Sequence, residues 1–468
     1  MKSQNEFKII ALDSIVQLIL QMLLLVITSR YVGPAEYGVY SIAYLIINVI
    51  KNFGISGISI NVLRRKSVNS LNALVNVVSI LSIVMTSLLF ISSEYISVTL
   101  NSTSSRLPII LLSSSIIFVS LGGVIESYLI KVSRVKEYLI SNIITVLINI
   151  SSFFIYLKYS ELSGEYWLTF SLLTSVILRF FLLIFYVRYD LKVFNPIFNI
   201  TLSDLKIEFK NLYSISAISI INNFALNVDN YVISKYLGAT SLGLYNRAFQ
   251  IGNYTSAIYT KIISKLGVKK YSECNRSDEL EMNFNRILCY TGIFSVVVSL
   301  TISMNSELIV NVFFGDKWSE LAVPMSVLSY SLIFRFLYKS IDTYILSLKM
   351  ERVALFLQLA LLFNMTFFTL YFVDGGLISV CYSIVISSSI QFLLSITWML
   401  YAGRIRLKYI IGNLVIFSII FILYKIIYVV LSSYISVINA VISGPISFLI
   451  ICWLVYVVYN KKNKKIIL

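Results

Sequence analysis

The sequence has no histidine, and of its 468 residues only 22 are acidic, five are proline and four are cysteine. The missing histidine excludes an imidazole proton relay, a histidine-based catalytic triad and a histidine-ligated metal site. Cys274, Cys289, Cys381 and Cys452 follow no metal or redox spacing and read as small apolar residues in helix contacts. No GxxxxGK[ST] motif occurs, and the pairs Gly122-Gly123 and Gly375-Gly376 lack the strand-then-helix setting of a dinucleotide loop. The sequence therefore predicts no nucleotide hydrolysis and no resident cofactor. Charge as a whole is scarce: 13% of residues are charged against 58% hydrophobic, with a mean hydropathy of +0.86. That much apolar surface does not fit inside one soluble core, so the chain belongs in a bilayer.

What is present is a series of apolar runs, each about twenty residues long, the length of a membrane-spanning helix. They predict an all-α integral membrane protein with about fourteen spans: roughly 9–29, 38–62, 72–94, 108–130, 139–158, 166–187, 212–234, 242–264, 287–304, 321–347, 353–373, 376–401, 409–431 and 436–459. The first run, from Ile9 to Thr28, has no small-residue cleavage site behind it and reads as a retained helix. The stretch from Glu307 to Lys317 is read as a surface segment.

Lysine and arginine test this topology independently, because cytoplasmic loops carry the excess of them. With both termini placed in the cytoplasm, 26 of the 38 basic residues fall on the inner side, 5 on the outer side (Arg30, Arg106, Lys158, Lys235 and Lys317) and 7 within helices. The net charge of +16 is thus mainly a topology signal, with anionic lipid headgroups as its partner and no call for nucleic acid.

The segment RYVGPAEYGVYSIA, from Arg30 to Ala43, recurs 205 residues later as KYLGATSLGLYNRA, from Lys235 to Ala248. Tyr31, Gly33, Gly38, Tyr40 and Ala43 match Tyr236, Gly238, Gly243, Tyr245 and Ala248. Further on, ESYLIKVSRVKEYL from Glu126 aligns with DTYILSLKMERVAL from Asp342, and NISSFFIYL from Asn149 aligns with NMTFFTLYF from Asn364. A helical hairpin repeated in this way predicts two pseudo-symmetric six-helix lobes. The expected organisation is a first lobe over 1–187, a cytoplasmic linker over 188–211, a second lobe over 212–403, and a terminal helix pair with a basic tail over 404–468.

An apolar helix followed by SRYVGPAEYGVYSIA and a mid-helix Asn52-Phe53-Gly54, with DNYVISKYLGATSLGLYNRA from Asp229 and FFGDKW from Phe313, resembles the polysaccharide-exporter branch of the multidrug/oligosaccharidyl-lipid/polysaccharide (MOP) superfamily. Within it the likeness is to O-antigen flippases of the Wzx type and covers essentially the whole chain. The resemblance implies a MATE-like fold of two lobes around a central cavity. It also implies alternating-access transport of an undecaprenyl-pyrophosphate-linked sugar unit across the bacterial plasma membrane. Polymerase and chain-length proteins of the same pathway are the implied partners. The motifs identify the fold better than the cargo.

Charges within spans are costly and tend to face a wet interior. Seven basic residues lie there: Lys51, Arg179, Arg247, Lys261, Arg335, Lys339 and Lys425. The acidic ones are four: Asp13, Glu126, Asp229 and Asp342. A diphosphate headgroup is what such a cationic surplus would attract. Arg247, Tyr254 and Lys261 fall on one face of the eighth span, and Arg335, Lys339 and Asp342 on one face of the tenth, where Asp342 is placed to neutralise Lys339. Lys51 and Arg335 sit nearest the middle of their spans. Competing readings are snorkelling for Arg179 and Lys261, an interfacial place for Arg247, and packing or lipid contact for Lys425. Polar faces such as Ser171, Ser175 and Arg179 suit sugar hydroxyls but also serve as helix-packing glue. With no nucleotide site, Asp13, Asp229, Glu126 and Asp342 are the candidates for binding a coupling H+ or Na+.

Three function classes follow: a lipid-linked oligosaccharide flippase, a cation-coupled multidrug antiporter of the same superfamily, and a membrane glycan polymerase or ligase. The antiporter is disfavoured by the basic surplus and the extra helix pair. An enzyme of the third kind would carry a large outer loop, whereas the longest one expected here runs only from Tyr95 to Leu107.

Overall fold

The computed structural model describes residues 16–50, 58, 61–62, 71–190, 193–194, 208–209, 223–224, 227–256, 278–348 and 350–430 in full; over 2–15, 51–57, 59–60, 63–64, 191–192, 257–272, 277 and 431–434 it describes the backbone alone. All regular structure among them is helical. The main helices are α1 (Lys2–Tyr31), α2 (Pro34–Arg64), α3 (Asn72–Thr99), α4 (Arg106–Ser113), α5 (Ser115–Lys131), α6 (Val135–Tyr159), α7 (Gly164–Tyr186), α8 (Val228–Ser272), α9 (Ser277–Met304), α10 (Ala322–Ser347), α11 (Glu351–Phe372), α12 (Gly376–Tyr401) and α13 (Leu407–Tyr434). Eight apolar stretches among the described residues are long enough to cross a membrane, one of them the 51-residue Glu351–Tyr401, interrupted at Val373–Gly375. The chain is a multi-pass all-helical membrane protein. The runs at 212–222 and 436–459 lie outside the described residues. The fourth run of the sequence reading divides into α4 and α5 around Ser114.

Apolar side chains cover the outside as well as the core. Ile91, Phe181 and Phe363 are well exposed, which water would penalise and lipid does not. On α11, Phe363, Phe367 and Tyr371 stack at four-residue steps with ring centroids 6.0 and 6.3 Å apart, an exposed aromatic ladder. Serine and threonine hydroxyls mostly donate to carbonyls one turn back in their own helix, as Ser175 does to Leu172 at 2.7 Å. The chain separates into two compact units, Met1–Gly243 and Leu244–Leu468.

In the first unit, Pro34 opens α2, where its missing N–H costs nothing. Glu36, three residues past Gly33, reaches back so that Oε2 accepts from the Gly33 N–H at 2.9 Å, a capping-box bond. Its Oε1 accepts from the Gly164 N–H at 3.1 Å, so one carboxylate ties the start of α2 to the start of α7. At the other end, α2, α3, α5 and α7 share a core of Val62, Leu74, Val124, Leu129 and Leu183. The Lys131 ammonium donates to the Val62 carbonyl at 2.8 Å, and Arg134 bonds Asp190, Glu137 and the Tyr186 carbonyl at 3.0, 3.0 and 2.8 Å.

In the second unit α10 is the most buried helix. It lies antiparallel to α9, with Thr291 against Ser340 at 3.2 Å and the rings of Phe284 and Tyr344 stacked at 4.2 Å. α12 carries a buried polar lane of Ser383, Ser387, Ser388, Gln391 and Ser395 and donates from Gln391 to the Leu357 carbonyl of α11 at 2.9 Å. α13 runs parallel to α9. Arg406 pairs with Asp278 at 2.9 Å, Asn413 donates to Asn285 at 2.8 Å, Tyr424 meets Thr301 at 2.7 Å, and Tyr428 donates to the Met304 carbonyl at 2.9 Å. Between α9 and α10 the stretch read as surface, Glu307 to Lys317, is exposed only in part. Gly315, at φ 85, reverses the backbone so that Phe314 and Trp318 are both fully buried, while Val312, Phe313, Asp316 and Lys317 remain exposed.

Candidate functional site

Two cations of α10, Arg335 and Lys339, meet side chains of α8. Their approach is set by glycine: a Cβ on Gly252 would stand 2.9 Å from Leu332 Cδ2, so α8 lies close enough for its polar side chains to reach α10. Arg335, 5% exposed, donates from Nη2 to Asn253 Oδ1 at 2.7 Å while its guanidinium lies 4.5 Å from the centroid of the Phe249 ring. One turn on, the Lys339 ammonium donates to Ser256 Oγ at 3.0 Å. Asp342, one turn further on, acts on Lys339 through charge, as its spacing suggests, while one of its carboxylate oxygens is buried without a hydrogen-bond partner. Arg335 is held by an amide, which fixes its geometry without cancelling its charge. The space beside Arg335, walled by Phe249, Gly252, Ser329 and Leu332, is about 10 Å³, room for one water.

Arg247 lies on a different face of α8 from Phe249, Asn253 and Ser256, and at 3% exposure it is packed within the protein. Its Nη1 donates to Gln250 Oε1 at 3.2 Å, its guanidinium sits 5.8 Å from the Trp318 ring centroid, and Gln250 passes the chain on by donating to the Tyr254 hydroxyl at 2.6 Å. Gln250 could have been found in the sequence, since it falls on the stripe of Arg247 and Tyr254. Asn253, Phe249 and Ser256 could not, because their roles depend on which face of α8 meets α10.

The first unit treats its arginine differently. Arg179 on α7 forms an ion pair of 3.1 Å with Glu126 on α5 and also bonds Asn142 Oδ1 on α6. A candidate cargo cation and a candidate coupling carboxylate thus neutralise each other. Ser171 and Ser175, on the same face, are buried and donate to their own helix, which makes that lane packing. Asp229, 5% exposed, accepts from the Asn230 N–H at 2.8 Å. Lys425 is exposed, 4.9 Å from the Phe421 ring centroid, as a lipid-facing residue would be. The side chains of Lys51, Lys261 and Asp13 lie outside the described residues, although their backbones belong to α2, α8 and α1. Two apolar cavities lie beside α2 and the start of α8. One, of about 210 Å³, is lined by Ile42, Leu100, Ser234 and Leu242, and the other, of about 320 Å³, by Val49, Phe224, Asn227 and Val228; Leu45, Ile46 and Tyr231 line both.

This arrangement of apolar helices and buried cations is a fold shared with solved transporters of the MOP superfamily. A lipid II flippase, MurJ, in an inward closed conformation superposes with a TM-score of 0.77 at 17% identity, over 95% of this chain and 98% of that one. An inward-facing multidrug-resistance MATE transporter of the superfamily gives 0.68 at 15% identity, over 84% and 98%. Residues 27–324 match the family described as polysaccharide biosynthesis protein, and the chain belongs to that family. Among curated relatives it is 24% identical over 138 residues to the lipopolysaccharide biosynthesis protein WzxC of Escherichia coli strain K12, covering 29% of this chain and 28% of that one. It is 24% identical over 209 residues to the teichuronic acid biosynthesis protein TuaB of Bacillus subtilis strain 168, covering 42% of each. The chain thus spans less than half the length of these relatives.

Proposed function

We propose that the protein is a flippase that moves an undecaprenyl-pyrophosphate-linked oligosaccharide across the bacterial plasma membrane by alternating access. The observation that carries this reading is the buried charge of Arg335 on α10, held by the amide of Asn253 and the face of Phe249 instead of a carboxylate. Burying cations is expensive, and a diphosphate that accepts forked, charge-assisted bonds recovers that cost when it binds. The family of the chain and the biosynthetic roles named for WzxC and TuaB agree with such a cargo. O-antigen, capsule, teichuronic-acid and peptidoglycan precursors share this headgroup.

In this reading the chain has fourteen spans in two six-helix lobes plus a terminal pair, both ends are cytoplasmic, and no covalent chemistry is performed. Net movement draws on H+ or Na+. Asp13, Asp229 and Asp342 carry that role better than Glu126, whose charge is committed to Arg179. Polymerase and chain-length proteins of the same pathway are the expected partners. Expression in a strain lacking its own sugar-unit flippase tests the proposal. Surface glycan should return with the wild-type chain and fall at least tenfold with Arg335→Ala at equal membrane level. Failure of the wild type, together with export of cationic dyes, would replace the flippase with the multidrug antiporter.

A further inference from the structure

The tyrosines at the start of α2 are stacked, and polar positions follow them. Tyr37 and Tyr40 pack against the core of Val32, Phe153 and Leu168. Tyr44, one turn on, lies almost parallel to Tyr40, 18° apart with ring centroids at 5.8 Å, and is 45% exposed. One face of its ring is thus braced and the other is free. Asn48, a further turn along the same helical face, is half-buried, and its carboxamide has no hydrogen bond among the described residues. Lys51 takes the next position of this lane by helical register. A different face of α2, about a third of a turn away, meets the second copy of the glycine motif. There a Cβ on Gly38 would stand 1.8 Å from the Ala239 carbonyl oxygen, and one on Gly243 would stand 2.1 Å from the Pro34 carbonyl oxygen.

The ladder on α11 shows what similar stacking looks like against lipid. From Tyr371 at the end of that helix it runs inward through Phe367 and Phe363 to Leu359, all exposed and apolar below the tyrosine. On α2 the stack runs inward to an amide and a cation instead. Asn48 falls two residues from the midpoint of the 38–62 span, about 3 Å along the helix axis, too deep for so short a side chain to reach the interface. An amide without a partner is costly in hydrocarbon, so the lane faces water or a polar occupant.

We propose that Tyr44 and Asn48 form a sugar-binding subsite, in which the free face of the Tyr44 ring packs against the C–H face of a pyranose and the Asn48 carboxamide bonds its hydroxyls. The rigid ring supplies apolar area, and an amide both donates and accepts, as sugar hydroxyls do. Lys51 stands seven residues, about 10 Å, beyond Tyr44, so the lane suits the diphosphate and the first sugars of one lipid-linked unit. The inference deepens the flippase reading and rests on it, assigning the sugar part of a cargo whose headgroup the cations address.

The test uses the strain lacking its own sugar-unit flippase. At equal membrane level, Tyr44→Leu and Asn48→Leu should each lower surface glycan at least tenfold, and Tyr44→Phe should recover most of what Tyr44→Leu loses. Phe363→Leu, in the lipid-facing ladder, should change nothing. A second readout follows occupancy: Asn48→Cys, in a chain whose four cysteines are replaced by serine, is treated with a small membrane-impermeant thiosulfonate. It should label, and at least fivefold faster in cells unable to load the first sugar onto the lipid carrier; adding Tyr44→Leu should remove that difference. No labelling of Asn48→Cys, or a rate indifferent to sugar loading, overturns the subsite even where the leucine variants fail to fold. Glycan that survives Tyr44→Leu but falls with Arg335→Ala overturns the subsite and keeps the flippase. A wild-type chain that restores no glycan rejects the flippase reading and the subsite with it.

Discussion

Arg335 and Arg179 are both arginines at membrane depth, and their neighbours give them opposite meanings. Arg179 has Glu126, so the pair adds no net charge; Arg335 has Asn253 and the face of Phe249, so its charge survives. Removing one partner of an ion pair leaves the other desolvated and alone. Arg179→Ala should therefore destabilise the protein by about 1–3 kcal/mol, the pair being only half-buried, and adding Glu126→Gln should recover most of that loss. Thermal unfolding in detergent of the two single variants and the double variant measures the coupling. At Arg335 the planar fork matters as well as the charge. Lysine cannot stack on Phe249 and reach Asn253 together, so Arg335→Lys should restore surface glycan poorly. Asn253→Ala should cost about 1.5–3 kcal/mol in holding the guanidinium, a hydrogen bond to a charged group, and should weaken complementation without lowering membrane level. None of these pairings was legible in the sequence. Which residues are charged and intramembrane can be read from the chain, but which charges meet depends on the rotation of three or four helices.

At the scale of the helix, α13 is an appendage fixed by its polar contacts. Arg406, Asn413, Tyr424 and Tyr428 all reach α9, and between them Gly292 makes room for the ring of Phe417, whose tip would lie 1.9 Å from an added Cβ. Interhelical hydrogen bonds in membranes are worth roughly 0.6 kcal/mol each, so close packing has to supply the rest. Gly292→Ala should cost about 1–3 kcal/mol by overpacking, and Phe417→Leu should relieve most of it, as read from the melting temperatures of the single and double variants. The hydropathy pattern located these helices well because lipid demands an apolar surface wherever a helix faces it. It failed in part over Glu307 to Lys317, read as surface, where Asp316 and Lys317 are exposed but Val310 and Phe314 go into the core. A short segment that alternates between the two environments has no period for sequence reading to detect.

For the whole chain, the parallel course of α9 and α13 is a statement of parity. Two parallel spans enclose an odd number of crossings, and α10, α11 and α12 supply three. The side on which α9 begins is therefore the side on which α13 begins, in agreement with the placing of Arg286 and of Arg404, Arg406 and Lys408 on one face by the count of basic residues. Single cysteines at Ser133 and Gly403 should react with an impermeant thiol reagent only in inverted vesicles, and cysteines at Asn101 and Ser160 only in right-side-out ones. The repeat too was legible as a sequence pattern, but not the fact that its copies meet. That meeting has an evolutionary consequence. After a duplication the two copies would ordinarily drift apart independently, yet here a side chain gained at Gly38 collides with the second copy, and one gained at Gly243 collides with the first. Each copy polices the other. At Gly38 and Gly243, 205 residues apart, the two copies are thus answerable to a single fit.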